Sequence, residues 1–484
     1  MKKYLRNFKF ASLILFSYVI YGSIIYTSKE SYCNLNIRNI KLCKVISIAS
    51  KPTEIFISGY RQTKLLVKNR STSGLLAKNL KEINKRFENI DPGFTFYYPP
   101  KTKPYAGYLL LSVSSAKNNG YPLIELWDMN LQKRIHKYKF NLKKISEALG
   151  LNLDERRIRF AHPLLLNDGS LIINGVDTES GKKPIIKLDK CGEYITSNNE
   201  YITHHSLEMD KFGNIYSPIS GMKINAFKEL HHKNFIADGI GVFDENLNLI
   251  KTYSLLEIYK KNDLLGDIYG NYELINDPFH LNDVQPYISS NKNVYLLLSM
   301  KGHSRIMVFN SDSLKVLWFV DRATSLQHDV DVIMHNDDSI DITIFDNNSK
   351  RFSFGKEISQ ENRIAKFTKL PIKEFSNPIS ISDKNQFRKY NLEYIEFKYL
   401  DEELRPKTPA QGRSDFLTKN NSVMVEETHS GRLLEVDTNE NKLLWQYLNK
   451  KKGGPTFMAS WSRRMQNLPN GLNENTFDTC NQSL

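Results

Sequence analysis

Cysteine is scarce: Cys33, Cys43, Cys191 and Cys480 are the only four in 484 residues. Their spacing matches no zinc motif, and four thiols are too few to staple a chain this long into a disulfide scaffold. They allow three pairings. A Cys33–Cys43 bond would close a short loop, and a role as small apolar residues is equally open. Long blocks of like charge are also missing. The net charge is +14, yet the 67 Lys and Arg are scattered. That pattern argues against a nucleic-acid-binding face and for a Lys- and Asn-biased composition. Beyond residue 90 the helical period is weak. Signal-peptide chemistry is incomplete too. MKKYLRNFKF leads into one apolar run, residues 10–26, with no A-x-A site after it. A basic flank before an apolar stretch of this length reads as an export signal, more readily an uncleaved anchor than a removed peptide. The expected location is the cell envelope, as a single-pass inner-membrane protein with a periplasmic or extracellular domain, or as a secreted protein if the signal is cleaved.

What the sequence does contain is ample apolar material, 40% of residues, enough for a large core. Residues 1–26 read as the anchor or signal. Residues 27–90 read as a short basic α/β neck in which LLAKNLKEINKRFENI (75–90) has helical spacing. The main domain, residues 91–484, starts near DPGFTFYYPP. Within it one pattern repeats: strand formers, an Asp or Asn, polar turn residues, then more strand formers. It occurs at 124–138, 185–197, 240–254, 306–320 and 433–447. This is hairpin chemistry, and its recurrence marks an internal repeat. Between the hairpins lie His-led strands: AHPLLLNDGSLII, HHSLEMDKFGNIY, FHLNDVQP and LQHDVDV. Four-stranded units repeated around an axis make an all-β propeller. If each His starts an innermost strand, four distant segments deliver their polar groups to one channel mouth. HKY at 136–138 and HHK at 231–233 read as surface loops.

Several stretches taken in order resemble the arylsulfotransferase family over residues 90–465: GFTFYYPPKTKPYAGYLLLSVSSAKNNGYPLIELWDMNLQKRIHKY, DPFHLNDVQP, LLLSMKGHSRIMVF, LQHDVDV, ITIFDNN and SGRLLEVDTNENKLLWQY. The resemblance implies a six-bladed β-propeller. It also implies transfer of a sulfuryl group from an aryl sulfate to a phenolic acceptor, with no nucleotide sulfate donor, no other cofactor and no metal. Carried over by position, His328 is the candidate nucleophile, and His205 and His280 are candidate sulfate contacts. His204 is an alternate for His205. Where the family pattern leads one to expect arginine, this chain has Lys301, and Arg305 lies four residues on. Glu427 and Arg432 match a family block and read as a structural ion pair.

Sulfuryl transfer resembles phosphoryl transfer, so the protein's task is to position groups and balance charge. A neutral imidazole is a competent nucleophile near pH 7. Its other nitrogen then needs an acceptor. Asp329 and Asp331 alternate away from His328 on a strand, which leaves a backbone carbonyl or a group from elsewhere; Asp346 is a candidate. Asn282 and Asp283 would shape the mouth or begin a strand. The partners expected are a small aryl sulfate, a phenol and, through the N-terminal segment, a membrane; nucleic acid is not among them. A non-catalytic propeller that binds a ligand or protein at the envelope is the alternative. A quinone-dependent dehydrogenase would bring repeated Trp motifs, which are missing.

Overall fold

The computed structural model describes residues 85–481, apart from 102–106, 116–119, 154–157, 225–226, 228–229, 231–234, 270–276, 290–291, 337–338, 352–356 and 372–391. The N-terminal segment with its basic flank lies outside the described residues, as do Cys33, Cys43 and His231–His232. Among the described residues no helix is long and apolar enough to cross a membrane.

Six antiparallel sheets form a six-bladed propeller. From the channel outward, blade 1 is Arg463–Met465, Tyr108–Ser114, Pro122–Asp128 and Lys133–Lys137. Blade 2 is Ala161–Leu165, Leu171–Asn174, Ile185–Leu188 and Tyr194–Asn198. Blade 3 starts with Ile202–Thr203 and Glu208–Met209, both paired to Ile215–Ser220, and continues with Asp238–Phe243 and Leu249–Ser254. Blade 4 is Leu281–Ile288, Val294–Met300, Arg305–Asn310 and Val316–Asp321. Blade 5 is Val330–Asn336, Ser339–Asp346, Arg363–Pro371 and Leu392–Glu396. Blade 6 is Arg413–Leu417, Ser422–Glu427, Arg432–Asp437 and Lys442–Leu448, with Gly93–Phe96 added outside it. The first and last described strands therefore close the ring: Gly93–Phe96 adds to blade 6 and Arg463–Met465 completes blade 1. Closure of this kind leaves few bare sheet edges.

The five repeated hairpins are the outer strand pairs of blades 1, 2, 3, 4 and 6. In each, the Asp or Asn at the end of the third strand caps its own turn. Asp128 Oδ1 accepts the Leu131 N–H, Asp189 those of Cys191 and Glu193, Asp244 those of Asn246 and Asn248, Asn310 those of Asp312 and Ser313, and Asp437 those of Asn439 and Glu440. The side chain mimics a backbone turn, which is why Asp or Asn recurs there.

Each pair of neighbouring blades encloses one apolar cluster. Strand period 2 sorts the residues. In VYLLLSM, Leu296, Leu298 and Met300 face blade 3, whereas Tyr295 and Leu297 face blade 5. Both faces are buried, so the strand reads as a continuous apolar run, and each fully buried Leu contributes about 2 kcal/mol of transfer free energy. A disulfide, Cys191–Cys480, ties a turn of blade 2 to the C-terminal segment. At a separation of 289 residues, loop-closure entropy would stabilise the fold by about 5 kcal/mol.

Two expectations change at this level. His136 is not surface loop material: it is 4% exposed, stacks on Phe477 at 4.2 Å, and burial pushes its pKa down to about 4. The end of the neck is also part of the propeller's packing. Arg86 Nη1 reaches Glu427 Oε1 at 2.5 Å, and Glu427 Oε2 accepts from Arg432 at 3.2 Å with both side chains fully buried. This network includes the structural ion pair expected for Glu427 and Arg432, extended by a third charge.

Candidate active site

One backbone feature marks the channel mouth. At or just ahead of the start of each innermost strand the chain turns through a left-handed non-glycine residue: Trp461, His162, His205, His280, Leu326 and Gln411, with φ between 45° and 61°; in blade 6 Gly412 follows at 109°. Left-handed non-glycine residues cost on the order of 1 kcal/mol each; six stand at this rim, and others fall in turns elsewhere, Lys292, Leu314 and Asn441 among them. His162, His205 and His280 occupy equivalent positions. His328 lies two residues past its own, Leu326, so the four His-led segments do not match residue for residue.

Three of these histidines nevertheless converge. The His205 ring lies 5.7 Å from His280, 6.0 Å from His328 and 5.6 Å from Trp461, centroid to centroid. The hydrogen-bond network assigns each tautomer. His328 Nδ1 lies 2.6 Å from Asn347 Oδ1. The Asn347 amide nitrogen donates to the carbonyls of Thr408 and Gln411, at 3.1 and 2.7 Å, so its oxygen must face the histidine. Nδ1 therefore carries the proton and Nε2 the lone pair, which accepts the Gln411 N–H at 3.0 Å. Burial, and then the Lys301 charge, hold the His328 pKa well below its ordinary value.

His280 Nδ1 meets the Asp277 carboxylate at 2.5 Å. The two are joined by the Asp-Pro-Phe-His turn, whose Phe279 carbonyl accepts the Gly302 N–H at 2.9 Å. A side chain at Gly302 would collide with the Pro278 carbonyl, 1.9 Å from an added Cβ. His205 Nδ1 lies 2.8 Å from His204 Nδ1. His204 Nε2 is 2.9 Å from Ser220 Oγ, which donates to Asp238 Oδ1 at 2.7 Å. Ser220 spends its proton on Asp238, so His204 Nε2–H donates to Ser220, and His205 Nδ1–H donates to His204. Burial, with His204 and His280 as like charges, keeps the His205 pKa well below its ordinary value. All three histidines thus have Nδ1 committed, and the His328 Nε2 lone pair is held by the Gln411 N–H.

The remaining expected residues divide. The Lys301 N–H donates to the His280 carbonyl at 3.1 Å, and its charge acts on both His328 and His205. Arg305 is engaged elsewhere: it forks onto Asp321 at 2.5 and 2.7 Å and reaches Asp267 at 2.7 Å and Tyr259 Oη at 3.1 Å. It is a buried strut of blade 4 rather than a stand-in for the expected arginine. Asp346 does not orient His328. It accepts from Ser325 N–H and Arg363 Nε, at 2.7 and 2.8 Å, while its neighbour Asn347 turns to the histidine. Asp283 is a strand-to-strand clasp, accepting the Val330 N–H of the next blade at 2.8 Å. Asp329 does the same for Ser414 at 2.9 Å and Asp415 for Arg464 at 2.7 Å. Burial and then the Glu208 charge push the Asp283 pKa up to about 7. Asn282 donates to the Gln327 carbonyl at 2.9 Å, behind the His328 strand. Among the described residues no three His, Cys, Asp or Glu side chains are arranged to hold a metal ion.

Sequence reasoning missed Asn347, Asp277, Gln411, Trp461 and the Ser220–Asp238 pair. Asn347 and Asp277 stand inside stretches already singled out, IFDNN and DPFH, so a signal existed for both. Gln411 and Trp461 come from blades with no histidine at the equivalent position.

The arylsulfotransferase (ASST) family matches residues 162–450, more than half of the chain and the span that carries every one of these side chains except Trp461. The chain belongs to that arylsulfotransferase family. No curated protein matches it. Among solved structures, a protein of unknown function from Bacteroides caccae is similar over 75% of this chain and 99% of its own, at 11% identity and TM-score 0.43. Hydrazine synthase of Kuenenia stuttgartiensis is similar over 66% and 72%, at 10% identity and TM-score 0.31. Neither is close enough to bear on function. Membership in the arylsulfotransferase family agrees with the sulfuryl-transferase reading of the sequence and supports that enzyme class.

Proposed function

We propose that the protein moves a sulfuryl group from an aryl sulfate to a phenolic acceptor through a covalent adduct on His328 Nε2. The observation that carries this reading is the Asn347 amide. It fixes the proton on Nδ1 while burial keeps the ring neutral, the state a nucleophilic imidazole requires. In the first half-reaction the Nε2 lone pair attacks sulfur, the sulfur–aryloxide bond breaks, and the departing oxygen takes a proton from His280, whose charge Asp277 balances. In the second, the acceptor hydroxyl returns a proton to His280 as its oxygen attacks the sulfohistidine and Nε2 leaves. His205 and Lys301 face the sulfuryl oxygens. The Gln411 N–H, displaced from Nε2, becomes a further donor to them. Lysine supplies a point charge without the two-pronged geometry of arginine, so orientation rests more on the histidines. We place the enzyme at the cell envelope, held by its N-terminal apolar segment, because a basic flank precedes that segment.

One observation favours the alternative, a non-catalytic scaffold: the Nε2 lone pair already accepts a backbone N–H. The full chain incubated with a chromogenic aryl sulfate separates the two. Phenol release that accelerates with added acceptor, follows ping-pong kinetics and vanishes in His328→Ala supports the transferase. Equal release by the variant, or no turnover of any aryl sulfate, overturns it.

A further inference from the structure

Blade 2 breaks the pattern of the mouth. Its left-handed residue, His162, is taken up by the fold: Nδ1 accepts the Leu207 N–H at 3.0 Å, and Arg413 and Glu208 lie against Nε2. Beside it is a cavity of about 100 Å³ lined by Arg159, Asp177, Lys183, His205, Gln411 and Trp461, among others. It shares His205, Gln411 and Trp461 with the histidine site, but Lys301, His280 and His328 do not line it. The cavity is therefore a side pocket of the sulfuryl centre with cations of its own, Arg159 and Lys183.

The charges on the cavity wall do not cancel. Lys183 pairs with Asp177 at 3.0 Å. Arg159 Nη1 donates to a neutral group, Gln411 Oε1, at 2.8 Å, and among the described residues no carboxylate forms an ion pair with it. Burial lowers the Arg159 pKa from its ordinary value, with the charges of Asp177 and Glu426 opposing. The guanidinium nonetheless stays protonated. A partly buried cation that lines a cavity and gives its hydrogen bond to a neutral amide is a carboxylate receptor in geometry and charge. The volume points the same way. A cavity near 150 Å³ accommodates a benzene ring; this one is smaller and suits a substituent.

Resting on the sulfotransferase reading of the neighbouring histidines, we propose that this cavity binds a second anionic group on the aromatic substrate. The preferred partners are then phenols, or aryl sulfates, that carry a carboxylate, with the ring against Trp461 and the carboxylate on Arg159.

The test compares phenol with 4-hydroxybenzoate and 4-hydroxyphenylacetate as acceptors for the full chain, in wild type, Arg159→Gln and Arg159→Lys. A charge-assisted hydrogen bond predicts a KM lower by about 10- to 100-fold for a carboxylated acceptor, with kcat little changed. Arg159→Gln brings that ratio to near one, and Arg159→Lys restores part of it. No preference in the wild type, a preference that survives Arg159→Gln, or an equal loss for phenol and the acids overturns the proposal; the last would assign Arg159 to the sulfuryl group itself. Titration calorimetry with 4-hydroxybenzoate keeps this test separate from that of the enzyme reading. Carboxylate binding that depends on Arg159 in a protein without turnover upholds the cavity and sinks the transferase.

Discussion

His280 and His328 stand on neighbouring blades, each with Nδ1 occupied, yet their partners differ in one respect. His280 faces a carboxylate, Asp277, and His328 faces an amide, Asn347. An anionic partner stabilises a ring that carries two protons; a neutral acceptor fixes the tautomer without adding charge. Under the proposed mechanism, two copies of one side chain would serve as an acid and a nucleophile. His162, left-handed like His280, shows the third outcome. With Nδ1 bonded to the Leu207 N–H of blade 3 and Nε2 covered by Arg413 of blade 6, it has no chemistry left to offer.

The largest effect should come from erasing that difference. Asn347→Asp gives His328 the partner type that His280 has. A carboxylate this close raises a histidine pKa by about 1–3 units, so the nucleophile is protonated over a range where it is now neutral. The acid limb of the pH–rate profile for the first half-reaction should move to higher pH by about those 1–3 units, a loss of about 10- to 1000-fold at pH values below both limbs, with the rate recovered above them. A uniform loss at every pH would mean that the variant had merely disturbed the Thr408 and Gln411 carbonyls.

How much of this was legible in the sequence depends on the distance over which each feature is made. The outer hairpins of five blades were readable because the Asp or Asn that closes each turn acts within four residues of itself. Blade 5 hid its outer pair, since residues 372–391 separate Arg363–Pro371 from Leu392–Glu396. The convergence of His205, His280 and His328 followed from the repeat and from the family resemblance. The group that orients His328 did not. Asp346 and Asn347 are adjacent, and only the pairing of the His328 N–H with the Phe345 carbonyl decides which one turns to the ring. Arg305 was misread for a related reason: four residues from Lys301, it lies on the next strand, where Asp321 and Asp267 claim it. His136 reads from sequence as surface loop, but it lies on the outermost strand of blade 1, where the C-terminal Phe477 covers it. Arg159 meets Gln411 across 252 residues, and no local pattern announces such a contact.

A smaller effect sharpens the other half of the comparison. Asp277→Asn leaves His280 in place but replaces its carboxylate partner with a neutral amide. Transfer from aryl sulfates with poor leaving groups should slow about tenfold, in line with weakened general-acid assistance. Nitrophenyl sulfate, which leaves without help, should be nearly unaffected. The measurement is the dependence of the first half-reaction on leaving-group pKa, which should steepen in the variant. An unchanged slope would place the acid elsewhere, with His205 and its chain to Asp238 the next to test.

The smallest effect concerns His162, where the quantity to follow is stability rather than rate. Burial, with Arg413 and Arg463 as neighbouring positive charges, holds its pKa well below the ordinary value of 6.5. The folded state keeps the ring neutral, whereas the unfolded chain takes up a proton below about pH 6.5. The unfolded state then binds more protons, so the contribution of His162 is complete above pH 6.5 and declines as pH falls. His162→Gln removes this linkage while leaving an acceptor for the Leu207 N–H. Urea unfolding should therefore show wild type exceeding the variant most at pH 8, with the gap closing by up to about 1.4 kcal/mol per pH unit below pH 6.5. Buried carboxyls of opposite sign, such as Asp283, are common to both proteins and cancel in the difference. A gap that does not vary with pH would mean that His162 is already charged in the fold. It would then be an ion-pair member with Glu208, and its contrast with His280 would lie in exposure alone.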